Sequence, residues 1–357
     1  MFLKNHRENP PALLMIFAVF GLAITVLCGA AKITNAQTNK STYLDFTGDG
    51  KTDWAVVTNT SDRHYRWKIL ANQPISAQNP PFIRIFDYGL ISDFLIPGDY
   101  TGDRKTEPTI WRPGQQGIFY VAQFPSGTGG ITLDRAVPWG TVDDGPVPGD
   151  YDGDGKLDYT VVRRSAIGLT WYILNSRTFT WRSVVFGFPG GDTFPGADFT
   201  GDGRDELVFT ANVNGNFTYY IGDAVTGALV LVGPWGNGGN GIANNLPPAD
   251  YTGDGKADLV AVRRNGSRMV WYILDPMTNN YTATEFGYGL GRAEGGTADI
   301  PVQGDYDGDG RFDIAVFRPS NHTFYVLKSS DGGLIVQPWG DNGDIAIIYS
   351  LVFVPTH

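Results

Sequence analysis

The chain repeats one acidic nonapeptide six times, and a period of this size fixes the class of fold before any local propensity does. The copies span 45–53, 99–107, 150–158, 198–206, 250–258 and 305–313, with starts 54, 51, 48, 52 and 55 residues apart. Most have the form D-x-[D/T]-G-D-G-x-x-[D/E]. Their flanks repeat as well. β-Branched runs follow at 54–57, 159–162, 259–262 and 314–317, and in four units an arginine comes next: Arg112, Arg163, Arg263 and Arg318. An aromatic segment follows at 67–70, 119–121, 171–174, 219–221, 271–274 and 324–327. The unit closes near an aromatic–glycine pair, as in Trp139-Gly140, Phe186-Gly187, Trp235-Gly236, Phe286-Gly287 and Trp339-Gly340.

Each unit therefore holds four short strands in about 50 residues, separated by turn signals. One four-stranded sheet cannot bury both faces, but sheets stacked around an axis can, with only short edges left exposed. No helical pattern appears between the strands. The expected fold is all-β: a β-propeller of six four-stranded blades over residues 37–357, with seven blades the lesser alternative. The tryptophan, tyrosine and phenylalanine stripe then fills the spaces between blades. The apolar run at 345–354 is strand-like and is expected to pair with the first blade, since an open ring would leave two free edges.

The loops carry the chemistry. Position 1 is Asp45, Asp99, Asp150, Asp198, Asp250 or Asp305, and position 5 is Asp49, Asp103, Asp154, Asp202, Asp254 or Asp309. Position 3 is Asp152 or Asp307 in two copies, and Thr47, Thr200 or Thr252 in three others. Position 9 is Asp53, Glu107, Asp158, Glu206, Asp258 or Asp313. Oxygens at these positions, with a backbone carbonyl near position 7, can wrap one hard cation, and glycine at position 6 permits the sharp turn. Crowded carboxylates repel without a cation; six copies in register favour a metal over plain Asp-Gly turns. Calcium suits so many protein oxygens better than magnesium does. The copies at Asp150 and Asp305 are the fullest. In the copy at Asp99, Arg104 replaces the turn glycine and is positioned to pair with Asp99 or Asp103 in place of a metal.

These units resemble the FG-GAP/VCBS repeat of integrin α-subunit propellers and of many secreted bacterial proteins. The resemblance covers roughly residues 40–340. It implies calcium in the loops, placed between the first two strands of each blade, and an extracellular adhesion or recognition role. Integrin propellers have seven blades, whereas six motifs occur here.

The formal net charge is −10, and 21 of the 37 acidic residues lie in the six loops. Six divalent calcium ions would bring the charge to about +2. An acidic chain without a basic groove argues against nucleic acid. Residues 1–36 read as a targeting segment: Lys4, His6 and Arg7 precede an uncharged run at 11–31, and Thr34-Asn35-Ala36 is a cleavable pattern. The alternatives are a cleaved signal and a retained membrane anchor through 11–31. Both export the remainder, to be secreted or held at the cell surface. Cys28, the single cysteine, lies in this segment, so no intrachain disulfide forms.

No nucleophile elbow, zincin motif or phosphate-binding loop is present. Asp143-Asp144 and Asp192 are candidates for a carboxylate pair of the glycosidase kind, but read better as solvated turns. The repeated arginines suit a structural role, bracing acidic loops or covering aromatic faces. Three functions are expected: a recognition or adhesion module for a protein or glycan, a structural envelope component, and a polysaccharide-acting enzyme. The first is favoured.

Overall fold

Each repeat folds into one antiparallel four-stranded sheet, and six such sheets form a propeller. This is a computed structural model, and it describes residues 43–74, 82–125, 130–237, 241–243, 246–289 and 298–348. Every element among them is a strand. Blade 1 takes β1 (Trp54–Asn59), β2 (His64–Leu70) and β3 (Ile83–Leu90). Blade 2 is β4 (Phe94–Leu95), β5 (Thr109–Arg112), β6 (Ile118–Gln123) and β7 (Thr132–Pro138). Blade 3 is β8 (Asp144–Pro146), β9 (Tyr159–Ser165), β10 (Gly168–Leu174) and β11 (Trp181–Val185). Blade 4 is β12 (Asp192–Ala197), β13 (Glu206–Val213), β14 (Asn216–Gly222) and β15 (Leu229–Asn237). Blade 5 is β16 (Gly241–Ala243), β17 (Leu259–Asn265), β18 (Arg268–Asp275) and β19 (Asn280–Tyr288). Blade 6 is β20 (Ile300–Pro301), β21 (Ile314–Arg318), β22 (Thr323–Leu327) and β23 (Leu334–Pro338). Six blades, not seven, is the count.

The missing strand of blade 1 comes from the far end of the sequence. β24 (Ile345–Ala346) pairs with β1 through Val56↔Ala346 and Val57↔Ile345. The expected closing strand is therefore present, though shorter than the run at 345–354, and residues 349–354 lie outside the described residues. The leader, with the apolar run at 11–31 and Cys28, also lies outside them. No helix among the described residues is long and apolar enough to cross a membrane.

Local sequence explains the strand types. The second strand of a blade is β-branched and buried on both faces, as in Tyr159–Ser165, because sheets lie on either side of it. The fourth strand alternates exposed and half-buried residues, as in Leu334–Pro338, and forms the outer edge. Between β13 and β14, Asn214 and Gly215 both hold positive φ (53° and 84°), the conformation a two-residue type I′ hairpin requires.

The core is divided into six buried clusters, each spanning two neighbouring blades. Trp111 and Phe119 of blade 2 pack with Tyr159 and Val161 of blade 3. Ring closure has its own cluster, where Trp54 stacks on Tyr306 at 4.7 Å with Val56, Phe324 and Ala346 around it. Trp54, Trp67, Trp111, Trp171 and Trp271 are fully buried, so the aromatic stripe is inter-blade core, as expected. Removing one such indole costs about 3–5 kcal/mol. Trp181 is the one exposed tryptophan among the described residues.

Candidate metal centres

In blades 2 to 6 the acidic loop connects the first strand to the second; in blade 1 it leads directly into β1. One hydrogen-bond plan builds all six. The position-4 N–H donates to Oδ1 of the position-1 aspartate at 2.5–2.8 Å. The position-6 N–H donates to its Oδ2 at 2.8–2.9 Å. The position-7 N–H donates to Oδ1 of the position-5 aspartate at 2.9–3.1 Å. The position-1 carboxylate thus organises the turn, and it is buried in every loop but the one at Asp250, where it is half-buried. A plain solvated Asp-Gly turn does not describe these loops.

Position 9 is the deepest. Asp53, Glu107, Asp158, Glu206, Asp258 and Asp313 are each no more than 5% exposed. In five loops this carboxylate accepts the N–H of position 2, for example Phe46 to Asp53 and Tyr306 to Asp313, both at 2.8 Å. Burial pushes Asp53, Glu107 and Asp158 up to about 8, and Glu206 and Asp258 up to about 7. Asp313 is raised by the same cause. Removal from water is the main cause, and neighbouring aspartates add to it.

The carboxylates come together most closely in three loops. Ligand oxygens of Asp150, Asp152 and Asp154 lie within 4.8 Å of one another, as do those of Asp305, Asp307 and Asp309, and those of Asp99, Asp103 and Glu107. The loop at 150–158 fits a cation best. Asp158 accepts Ser176 N–H on Oδ1 at 2.9 Å, while its buried Oδ2, like Oδ2 of Asp154, accepts no hydrogen bond from the protein. An orphaned buried carboxylate oxygen is costly without a cation and a ligand with one. The loop at 305–313 is equally acidic, but its oxygens are engaged: Arg311 pairs with Asp309 at 2.7 Å, Ser329 Oγ donates to Asp309, and Ser330 Oγ donates to Asp307. Asp202 is likewise paired with Arg204 at 2.6 Å.

The three threonine positions differ. Thr47 Oγ1 donates to Asp45 at 3.3 Å, Thr200 Oγ1 donates to Glu206 at 3.3 Å, and Thr252 donates its N–H to Asp258 at 3.0 Å. Asp49 and Asp254 lie exposed at position 5. In the loop at Asp99, Arg104 keeps the turn that glycine makes elsewhere, at φ 66°, and its N–H still donates to Asp99. The acidic triad forms around that turn, and Thr101 Oγ1 donates to Glu107 at 3.0 Å, giving the loop a position-3 hydroxyl that attention to charge passed over.

The repeated arginines do not brace the acidic loops. Arg112, Arg163 and Arg318 each grip a buried aspartate near the first strand of their own blade, Asp93, Asp144 and Asp299, with two bonds of 2.8–2.9 Å. Lys68 does the same for Asp344 in blade 1. The aspartate also accepts an N–H of the preceding turn, such as Thr141 to Asp144 at 2.8 Å. Asp144 is therefore neither a solvated turn nor half of a carboxylate pair. Its spacing to the arginine is 19 residues in all three blades, a regularity available in the sequence. The expected covering of aromatic faces does occur, with Arg163 4.8 Å from the Tyr172 ring centre and Arg263 5.4 Å from that of Tyr272.

Among the described residues, two grooves open between blades. One, of about 510 Å³, is lined by Asp134, Arg135, Leu174 and Phe179. The other, of about 360 Å³, lies between blades 1 and 2 and is lined by Phe46, Phe82, Arg84, Phe124, Gln73 and Gln123 beside the loop residues Asp103 and Glu107. Neither brings together two carboxylates outside the acidic loops.

An FG-GAP-like repeat family matches residues 198–261 and 250–316. No curated protein matches the chain. Among solved structures it is similar to TolB from Acinetobacter baumannii, with 16% identity and a TM-score of 0.48 over 84% of this chain and 66% of that one. The chain thus spans slightly under two thirds of TolB. It is also similar to the Dos1 propeller, with 10% identity and a TM-score of 0.35 over 80% of this chain and 68% of that one. A third is dipeptidyl peptidase 4 of Porphyromonas gingivalis, with 11% identity and a TM-score of 0.36 over 78% of this chain and 45% of that one. The sheets, their order and the repeat match together make this chain a six-bladed β-propeller with an FG-GAP-like repeat region.

Proposed function

We propose that this chain is an exported, calcium-stabilised recognition module, whose acidic loops hold the metal and whose surface engages a protein or glycan partner outside the cytoplasm. The observation that carries the metal assignment is the loop at 150–158, with its triad Asp150, Asp152 and Asp154 and the orphaned Oδ2 of Asp158. Calcium there would satisfy the buried oxygens and hold the turn between β8 and β9, so that binding energy becomes folding energy. Recognition then falls to the groove between blades 1 and 2, where half-buried Phe82 and Phe124 offer apolar surface, Arg84 lies stacked 3.9 Å from the Phe82 ring centre, and Gln73 and Gln123 offer amides. Export follows from the character of residues 1–36, with either a cleaved signal or an anchor at 11–31.

A second reading, a structural assembly component, draws on the outer strands. Val185, Leu229, Val232, Leu334 and Val336 are all exposed along blade edges. An apolar, unpaired edge is a pairing surface for another chain.

Calorimetric titration of the full chain with calcium, alongside thermal unfolding in the same buffers, tests the first reading. The expected result is several sites and a calcium-dependent rise in Tm, with one site lost in the Asp152→Asn/Asp158→Asn variant. No binding up to about 10 mM calcium, well above the range of extracellular modules, would refute it.

A further inference from the structure

We infer that the six acidic loops bind metal as one closed, positively cooperative ring. The inference rests on the calcium reading above and concerns how the sites communicate. In every loop the position-8 N–H crosses to the preceding blade and donates to the position-1 carbonyl there. Thr106 donates to Asp45, Leu157 to Asp99, Asp205 to Asp150, Ala257 to Asp198, Phe312 to Asp250 and Thr52 to Asp305, all at 2.6–2.8 Å. The last of these joins the sixth blade to the first, so the chain of bonds has no end.

A second contact follows the same circuit. The basic residue at position 7 lays its aliphatic stem over the position-4 glycine of the preceding loop. A Cβ built on Gly102 would stand 2.5 Å from Lys156 Cε, and one on Gly253 would stand 2.5 Å from Arg311 Cδ. The same pairing recurs at Gly48–Lys105, Gly153–Arg204, Gly201–Lys256 and Gly308–Lys51. Each loop is thus completed by two residues of the following blade.

The direction of coupling follows from what the bonds connect. A cation that fixes the position-1 carboxylate of one loop also fixes the peptide behind it. That peptide holds the position-8 N–H of the next loop, adjacent to the buried position-9 carboxylate. The next cation meets a loop already ordered and pays less to order it, which is positive cooperativity. Repulsion between bound cations acts the other way, but salt screens it, with a Debye length of about 8 Å at physiological ionic strength. The hydrogen bonds are not screened.

Nearest-neighbour coupling in a ring makes a prediction that independent sites do not. Disabling two adjacent loops leaves the four remaining sites as one run with three of the six links; disabling two opposed loops leaves two separate pairs with two links. Loops 45–53 and 250–258 share the same ligand residues, and loop 198–206 is opposed to the first and adjacent to the second. The experiment is a calcium titration of the full chain in about 0.15 M and 0.5 M KCl. It compares wild type, Asp202→Asn/Asp254→Asn (adjacent) and Asp202→Asn/Asp49→Asn (opposed). All three substituted side chains are exposed, so the fold should survive. Wild type should show a Hill coefficient above one at both salt concentrations. The opposed variant should half-saturate at a calcium concentration at least about 1.5-fold above the adjacent one, since one further link of fivefold or more is lost over four sites. Binding with a Hill coefficient of one and matching half-saturation in both variants would overturn the coupling and leave the calcium reading standing. No binding by wild type would overturn both.

Discussion

Without metal, the buried position-9 carboxylates should make this protein weaker as the solution becomes less acidic. Asp53, Glu107 and Asp158 are pushed up to about 8, and Glu206 and Asp258 up to about 7, against values near 4 for the same groups in the unfolded chain. Between those limits the folded state keeps protons that the unfolded state has released. Stability is therefore full below about pH 4 as far as these groups are concerned, and falls as pH rises towards 8. Carboxylates held low, such as Asp87 beside Arg66, titrate below this window and do not offset it. One pKa unit realised at each of the five groups is about 1.4 kcal/mol apiece, or about 7 kcal/mol together. That is comparable with the whole stability of an ordinary domain, about 5–15 kcal/mol. For a chain of this size it corresponds to a Tm lower by roughly 10 °C. The assay is thermal unfolding by tryptophan fluorescence in EDTA from pH 5 to pH 8.5, repeated in millimolar calcium. The expected result is a falling Tm in EDTA and a flat or rising one in calcium. A Tm in EDTA that stays level or climbs across this range would refute the reasoning.

Three further outcomes follow from particular residues. Gly255→Ala should lower the metal-free Tm by about 2 °C, because a side chain at φ 83° costs about 1 kcal/mol relative to glycine; an unchanged or higher Tm would count against it. Arg112→Met should cost about 3 kcal/mol in denaturant unfolding, since it leaves the fully buried Asp93 side chain unpaired. Adding Asp93→Ala should restore part of that loss, and a double variant weaker than the single one would contradict the pairing. Deleting residues from Ile345 onward should open the β1 edge and remove the buried Ala346 and Ile347, giving a chain that elutes as larger species; unchanged elution and Tm would show that β24 does not close the ring.

Most of the architecture was written in the repeat. Six copies of one loop set the blade number, and the β-branched and aromatic runs marked β9 and β10 and their equivalents, because burial between sheets demands those side chains. The short first strands were harder to see. β4 and β20 have two residues each, too few for any periodic pattern to register. Asp144, which opens the three-residue β8, is obscured for the same reason: beside Asp143 it resembles a solvent-facing turn until its partner 19 residues away is folded against it. Within the loops, ligand types were legible from charge, whereas the order of fit was not. Asp150 and Asp305 begin equally acidic loops, and only the position of Arg311, Ser329 and Ser330 separates them. The inter-blade bonds of position 8 left no sequence trace, because a backbone N–H is offered equally by Thr52, Leu157, Asp205 and Phe312.

The pairing of Val57 with Ile345 joins residues from opposite ends of the described propeller. During synthesis, five sheets can acquire all four strands in turn as the ribosome delivers them, but the sheet begun first must wait for the strand delivered last. Until then Trp54 and Val56 have no Phe324 or Ala346 to pack against. Contacts of such long sequence separation form slowly. Assembly of this molecule should therefore end in a single late clasping step, and a translation product interrupted before blade 6, where Tyr306 and Phe324 lie, should carry an exposed Trp54 that quality control can detect.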